Sequence, residues 1–162
     1  EAVVEMDIHA CALSITHALF QIPLPDRPDL YHLEGVERDV VKSWINLSLT
    51  NGKPLERWPE TVIEDFKKNK TKHKEASYYS SSLLDLYPFI KDLKQQNIGW
   101  AGLQFEEAEV ILSTMQRLMR KGIPSYPVHD SIIVPETSSE EAMYCLKKCF
   151  RDRLGGEVIV KA

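Results

Sequence analysis

Ile123-Pro-Ser-Tyr-Pro-Val-His-Asp-Ser-Ile-Ile-Val-Pro135 is the stretch on which the fold turns. Two short apolar runs, one ending at Val128 and one beginning at Ser131, flank the dipeptide His129-Asp130. That arrangement predicts a β-hairpin with the pair at or near its turn. Upstream, residues 103–120 set Val110, Ile111, Met115, Leu118 and Met119 on a helical stripe, and Lys121-Gly122 supplies the residue types of a helix C-terminus. Downstream, Thr137 to Glu140 or Ser138 to Glu141 has capping-box spacing, for a helix that runs to Leu154 and stops at Gly155-Gly156. Val158-Ile-Val160 reads as a final strand. At the other end of the chain, residues 2–8 are apolar and β-branched and close in Asp7-Ile8-His9, a buried strand with a carboxylate at its C-terminal end. Residues 10–20 follow as a helix, with Leu13, His17 and Phe20 at helical spacing.

Between these ends lies a more polar middle. Pro23, Pro25 and Pro28 make a stiff loop. From 34 to about 50, Val36, Val40, Val41, Trp44, Ile45 and Leu49 keep a 3.6-residue period, giving a helix that ends at Asn51-Gly52 and carries Arg38, Lys42 and Asn46 on its other face. Residues 53–98 read as helical, with Pro59-Glu60 a natural first turn, a basic stretch Lys67-Lys-Asn-Lys-Thr-Lys-His-Lys74, and a helix over 83–95 broken near Pro88. With this insertion set aside, the order is β-α-β-β-α-β. This is the split pattern in which an antiparallel sheet carries its helices on one face. The fold class expected is α+β, and the first strand then lies beside a hairpin strand in the middle of the sheet, making Asp7 and Asp130 neighbours.

The chain has 162 residues, 43% apolar and 27% charged, enough to bury the core of one ordinary domain. Collagen-like and disordered classes are excluded, and no apolar run approaches the roughly 18 residues of a membrane span. The net charge of −4 offers no global attraction to nucleic acid, so any such binding must come from a local patch. Three cysteines, Cys11, Cys145 and Cys149, are an odd and sparse set that suits a reducing interior, and a cytoplasmic location is expected. Cys145 and Cys149, one helical turn apart, are expected to pack toward the sheet. The opening without Met or signal peptide, and the stop directly after an apolar run, lead us to expect a fragment of something longer.

Two carboxylates at the ends of central strands repel unless a cation sits between them. Hard oxygen donors without His/Cys ligand spacing favour Mg²⁺ or Mn²⁺, and two such ions clamp the attacking and leaving oxygens of a phosphoryl transfer. Position alone leaves a second reading open: Asp7 as a helix N-cap and Asp130 as a turn residue. Arg38, Lys42 and Asn46 are each four residues from the next, a ladder on one helical face able to hold a polyphosphate. The competing reading there is the solvated face of an amphipathic helix. His9, His17, His32 and His73 have no ligand spacing and read as core or surface residues, while His129 fits a turn residue or a substrate contact equally well. The stretch 67–74 also reads as a solvated face, yet it is the one local basic patch able to follow a phosphate backbone.

Set in order, these pieces resemble the three polymerase motifs of the superfamily that holds family A DNA polymerases and phage-type single-subunit RNA polymerases, over almost the whole chain. Val3-Val-Glu-Met-Asp7 resembles the first motif, a strand ending in the metal-binding Asp. Arg38-Asp-Val-Val-Lys42-Ser-Trp-Ile-Asn46 is similar to the second, with Asn46 where those enzymes carry an aromatic. Val128-His129-Asp130-Ser131 is similar to the third, its Ser closer to the RNA polymerase form. Leu103-Gln104-Phe105-Glu106-Glu107 looks like the Gln-bearing helix start before that motif, and the chain looks closest to uncharacterised bacterial and mobile-element proteins with the same Leu-Gln, Gly-Ile-Pro and Val-His-Asp-Ser sequences.

The resemblance implies a polymerase palm over 1–22 and 103–162, a helical fingers-like insertion over 23–102, and a thumb upstream of Glu1. It implies a template-directed nucleotidyltransferase for DNA or RNA, acting in DNA replication on a template-primer and nucleoside triphosphates. Asp7 and Asp130 would be catalytic and hold two Mg²⁺ or Mn²⁺. Arg38, Lys42 and Asn46 would meet the nucleotide, His129 the primer terminus, and Gln104 the template or primer strand. DNA polymerases carry a Glu five residues after the first Asp and an Arg seven after; here stand Ala12 and Ser14. A small Ala12 removes an obstacle to the 2′-hydroxyl. Two other functions stay open, a non-catalytic nucleic-acid-binding or assembly module with a degenerate polymerase fold, and a metal-dependent nuclease.

Overall fold

The computed structural model describes residues 2–162. In chain order the elements are β1 (Val3–Ile8), α1 (Cys11–Leu19), α2 (Arg38–Asn51), α3 (Glu60–Lys68), α4 (Ser80–Leu86), α5 (Trp100–Arg120), β2 (Tyr126–Val128), β3 (Ser131–Pro135), α6 (Ser139–Leu154) and β4 (Val160–Lys161). The class is α+β, with one four-stranded antiparallel sheet and six α-helices among the described residues. The chain divides into two units, Glu1–Asp26 with Leu103–Ala162, and Arg27–Gly102.

The first unit holds the sheet, in the order β2-β3-β1-β4 with every neighbouring pair antiparallel. This is the strand order of the split β-α-β-β-α-β pattern. Alternation decides which side is buried: Met6, Ile8, Ile132 and Val134 turn inward, while Val3 and Glu5 are exposed. α6 packs on β1, β3 and β4, and α1 packs on α6. Leu13, Cys145, Leu146 and Phe150, all buried, close the layer over the strands. Burial of each large side chain is worth roughly 1.5–3 kcal/mol, so this apolar face fixes the register of β1 against β3. A slip by one residue would turn Met6 and Ile8 to the open side. Cys145 and Cys149 are buried and unbridged on α6, as expected.

The second unit is helical. Trp44 is fully buried on α2 and donates its indole N–H to the Ala76 carbonyl at 3.0 Å, and the buried Tyr87 hydroxyl donates to the Leu30 carbonyl at 2.5 Å. Burial pushes the Tyr87 phenol up to about 12. No helix among the described residues is long and apolar enough to cross a membrane.

Several local expectations need correction. The second helix begins at Arg38 rather than 34, because Gly35 takes a left-handed φ of 73° and Leu33 and Val36 form an isolated antiparallel bridge. α5 begins at Trp100, before 103. No side-chain capping bond forms at the start of α6; a 3-10 turn at Glu136–Ser138 leads into it instead. Between 53 and 98 the helices are short: α3 ends where Lys70 adopts a φ of 57°, residues 71–75 have no regular structure, and beyond α4 only a 3-10 turn spans Pro88–Asp92. The final strand pairs through Val160–Lys161, later than 158–160.

Candidate functional site

In the first unit the strands bring the two expected aspartates to one place. Asp7, half-buried, is the residue of β1 opposite Ser131 in the antiparallel register. Asp130 directly precedes Ser131, and its carbonyl accepts the Ile8 N–H at 3.2 Å. His129 and Asp130 are the two turn residues of the β2–β3 hairpin, with Val128 paired to Ser131. A two-residue hairpin turn calls for positive φ at its first position, and His129 supplies it with a φ of 52°. An L-residue pays for that conformation in strain. Asp130 is thus a turn residue, as one reading had it. Asp7 is not an N-cap, because the chain runs on to Ala10, whose left-handed backbone (φ 50°) starts α1 without a side-chain cap.

Ser131 ties the turn to the first strand. Its hydroxyl oxygen lies 2.5 Å from Glu5 Oε1 and 2.7 Å from the Val128 carbonyl, so its single proton serves one acceptor at a time. Ser14, where DNA polymerases carry an Arg, is fully buried and donates its hydroxyl to the His9 carbonyl at 3.0 Å. Ala12 is half-buried in the first turn of α1, its carbonyl accepting the Thr16 hydroxyl at 2.7 Å. Gln104 is exposed on α5.

Two further residues join Asp7 and Asp130, and spacing did not reveal them. Burial, first, and then the charges of Glu107, Asp130 and Asp7 push the Cys11 thiol far above its ordinary range, so it stays protonated and bonds to Glu107. Burial, followed by the Asp130 charge, also raises the Glu107 carboxyl, while the Cys11 bond and His129 oppose the rise. Three carboxylates therefore act on one thiol, a region of accumulated negative charge beside a histidine. Glu106 and Glu109 look the same in sequence, but both pair with Arg153, at 2.5 and 3.3 Å, and are neutralised there. Among the described residues no group of three His, Cys, Asp or Glu side chains is placed to hold a metal ion. The donor set still suits Mg²⁺ or Mn²⁺, which usually take one or two carboxylates and complete their shells with water and substrate phosphate.

In the second unit, Arg38, Lys42 and Asn46 share the face of α2 opposite buried Val40, Val41, Trp44 and Ile45. They are not equally available. Arg38 binds Asp29 at 2.8 Å and lies 5.3 Å from the Tyr31 ring centroid. Asn46 accepts the Tyr31 hydroxyl at 3.3 Å. Lys42 is exposed and lines a shallow groove between α2 and α3 with Asp39, Asn46 and Asp65.

Comparison with known proteins finds no matching family model, no matching curated protein and no matching solved structure.

Proposed function

We propose that the chain is the palm, with small fingers, of a single-subunit template-directed nucleotidyltransferase. One observation supports the reading: the antiparallel pairing of β1 with β3 sets Asp7 opposite Ser131 and seats the Asp130 carbonyl on the Ile8 N–H, so two aspartates from distant parts of the chain stand at neighbouring strand ends. Asp7 and Asp130 would hold Mg²⁺ or Mn²⁺, with Glu107 beside them. Bound there, such ions neutralise the charge that spreads over a transferring phosphoryl group. Asp7 and Asp130 would fix where those ions sit, and His129, at the hairpin tip, would meet the primer terminus. Lys42 takes the triphosphate of the nucleotide. Arg38 joins it by leaving Asp29, a small cost because a half-exposed ion pair is worth about 0–1 kcal/mol.

Asp7→Asn and Asp130→Asn are each expected to abolish primer extension with Mg²⁺ while circular dichroism and melting temperature stay near those of the parent. Undiminished extension by both variants sinks the mechanism. The engagement of Arg38 and Asn46 by Asp29 and Tyr31 favours a second reading, a non-catalytic module that keeps the fold. The two separate on Lys42→Ala: the polymerase loses nucleoside triphosphate affinity by about tenfold or more in calorimetry with Mg²⁺, as removal of a charge-assisted phosphate contact would give. The module has no such affinity to lose.

A further inference from the structure

The second unit carries a feature that the proposed chemistry does not use. The segment Lys67-Lys-Asn-Lys-Thr-Lys-His-Lys74 gathers five lysines and no acid in a chain of net charge −4. All five are exposed, and among the described residues none takes part in an ion pair. A merely solvated charge run has no need of a fixed backbone, yet this one is held at four points. The Thr71 N–H donates to the Phe66 carbonyl at 2.8 Å, the Lys72 N–H to Glu37 Oε1 at 2.8 Å, and the Lys74 N–H to the Tyr79 hydroxyl at 2.7 Å. The Lys74 carbonyl accepts the Trp58 indole N–H at 2.7 Å. Thr71 is buried and the His73 ring packs, tilted, with its centroid 4.8 Å from that of Phe66, so these alternate residues face inward. The lysines between them are left to project.

Lys70, Lys72 and Lys74 alternate with the inward Thr71 and His73, so three exposed ammonium groups follow one another along an irregular segment that is pinned in place. At the end of the row stands Tyr78, 60% exposed, with the Lys74 ammonium 3.9 Å from its ring centroid. From these features we infer that the Lys70–Lys72–Lys74 row and Tyr78 form a binding track for single-stranded nucleic acid, carried by the unit that does not hold the two aspartates. Phosphates neutralise the lysines in turn, Lys74 leaves the ring for a phosphate, and an unpaired base stacks on the freed face of Tyr78. A duplex offers no such base. A membrane surface needs exposed apolar side chains beside the charges to enter the lipid boundary, and Tyr78 is the single large one exposed between 58 and 86 among the described residues.

The test is fluorescence anisotropy of a labelled oligothymidine strand titrated with the whole chain in EDTA, across about 50–200 mM salt. EDTA removes any metal-dependent contribution of Asp7 and Asp130, so the outcome here and the outcome of primer extension are independent. Expected is a triple variant, Lys70→Ala, Lys72→Ala and Lys74→Ala, that folds as the parent does, since its backbone bonds use none of those side chains. It binds at least tenfold more weakly, with a log K against log salt slope shallower by about 2, because each phosphate contact on a single strand adds about 0.7. Tyr78→Ala loses about tenfold with the slope unchanged, and Tyr78→Phe restores it. A control with Lys53, Lys91 and Lys94 changed to Ala binds like the parent. An unchanged slope in the first triple variant, or an equal loss in the control, overturns the track. So does lysine-dependent sedimentation with phosphatidylserine vesicles in a protein that does not bind the strand.

Discussion

At Gly156 a methyl group has nowhere to go: a Cβ built there would lie 2.8 Å from Ala18 Cβ and 3.2 Å from its Cα. Part of that obstacle is backbone, so relief requires the segment after α6 to move away from α1. Gly156→Ala is therefore expected to cost about 1–3 kcal/mol in urea unfolding, whereas Gly102→Ala, with open space around it, stays within about 0.5 kcal/mol of the parent. Equal stabilities for the two variants would show that the close approach carries no energy. The same scale explains what could be read in advance. Asp7 and Asp130 were legible because each interrupts the edge of an apolar strand run, where a carboxylate is conspicuous. Glu107 was not, since Glu106, Glu107 and Glu109 share one helix, and only the placement of Arg153 and Cys11 separates a neutralised acid from a half-buried one under the influence of the Asp130 charge. Nor could Tyr31 be read as the partner of both Arg38 and Asn46, because that contact is made across a loop.

Elements whose period was strong in sequence lie close to where it placed them. The hairpin strands end at Val128 and begin at Ser131 as expected, because two short apolar runs and a two-residue turn admit one pairing that buries Ile132 and Val134 together. Boundaries set by side-chain chemistry were less secure: the apparent capping box before α6 makes no capping bond, since a 3-10 turn already satisfies the approach. The stretch beyond α2 was the least legible, for its short elements are held by single large side chains and not by periodic stripes. Trp44 is the clearest of these, linking α2 to the 3-10 turn Ala76–Tyr79 through its indole N–H. Trp44→Ala should cost about 3–5 kcal/mol. Trp44→Phe should cost less but leave the Ala76 carbonyl without its donor, by about 1–3 kcal/mol. A stability loss under 1 kcal/mol for the alanine variant, by chemical denaturation, would mean that the helical unit does not depend on this link.

At the scale of the whole molecule, one contribution to the response to acid comes from the buried imidazole of His17. His17 is 3% exposed near the end of α1, where burial lowers its affinity for a proton, against partial compensation from the backbone carbonyls of Ile22 and Pro23. The unfolded chain takes up that proton near the ordinary value of 6.5, and the folded chain does so only at lower pH. Below 6.5 the unfolded state therefore binds more protons, and stability falls as pH falls, by at most about 1.4 kcal/mol per pH unit for a single group. Glu157 lines the same cleft but does not titrate in this window, because its bond to Arg151 holds the carboxyl below its usual range. Urea midpoints should accordingly drop between pH 7 and pH 5.5, and His17→Gln, which keeps a hydrogen-bonding group but cannot charge, should flatten the drop. Parallel pH profiles for parent and variant would assign the acid sensitivity to other groups, the carboxylates or the buried His9.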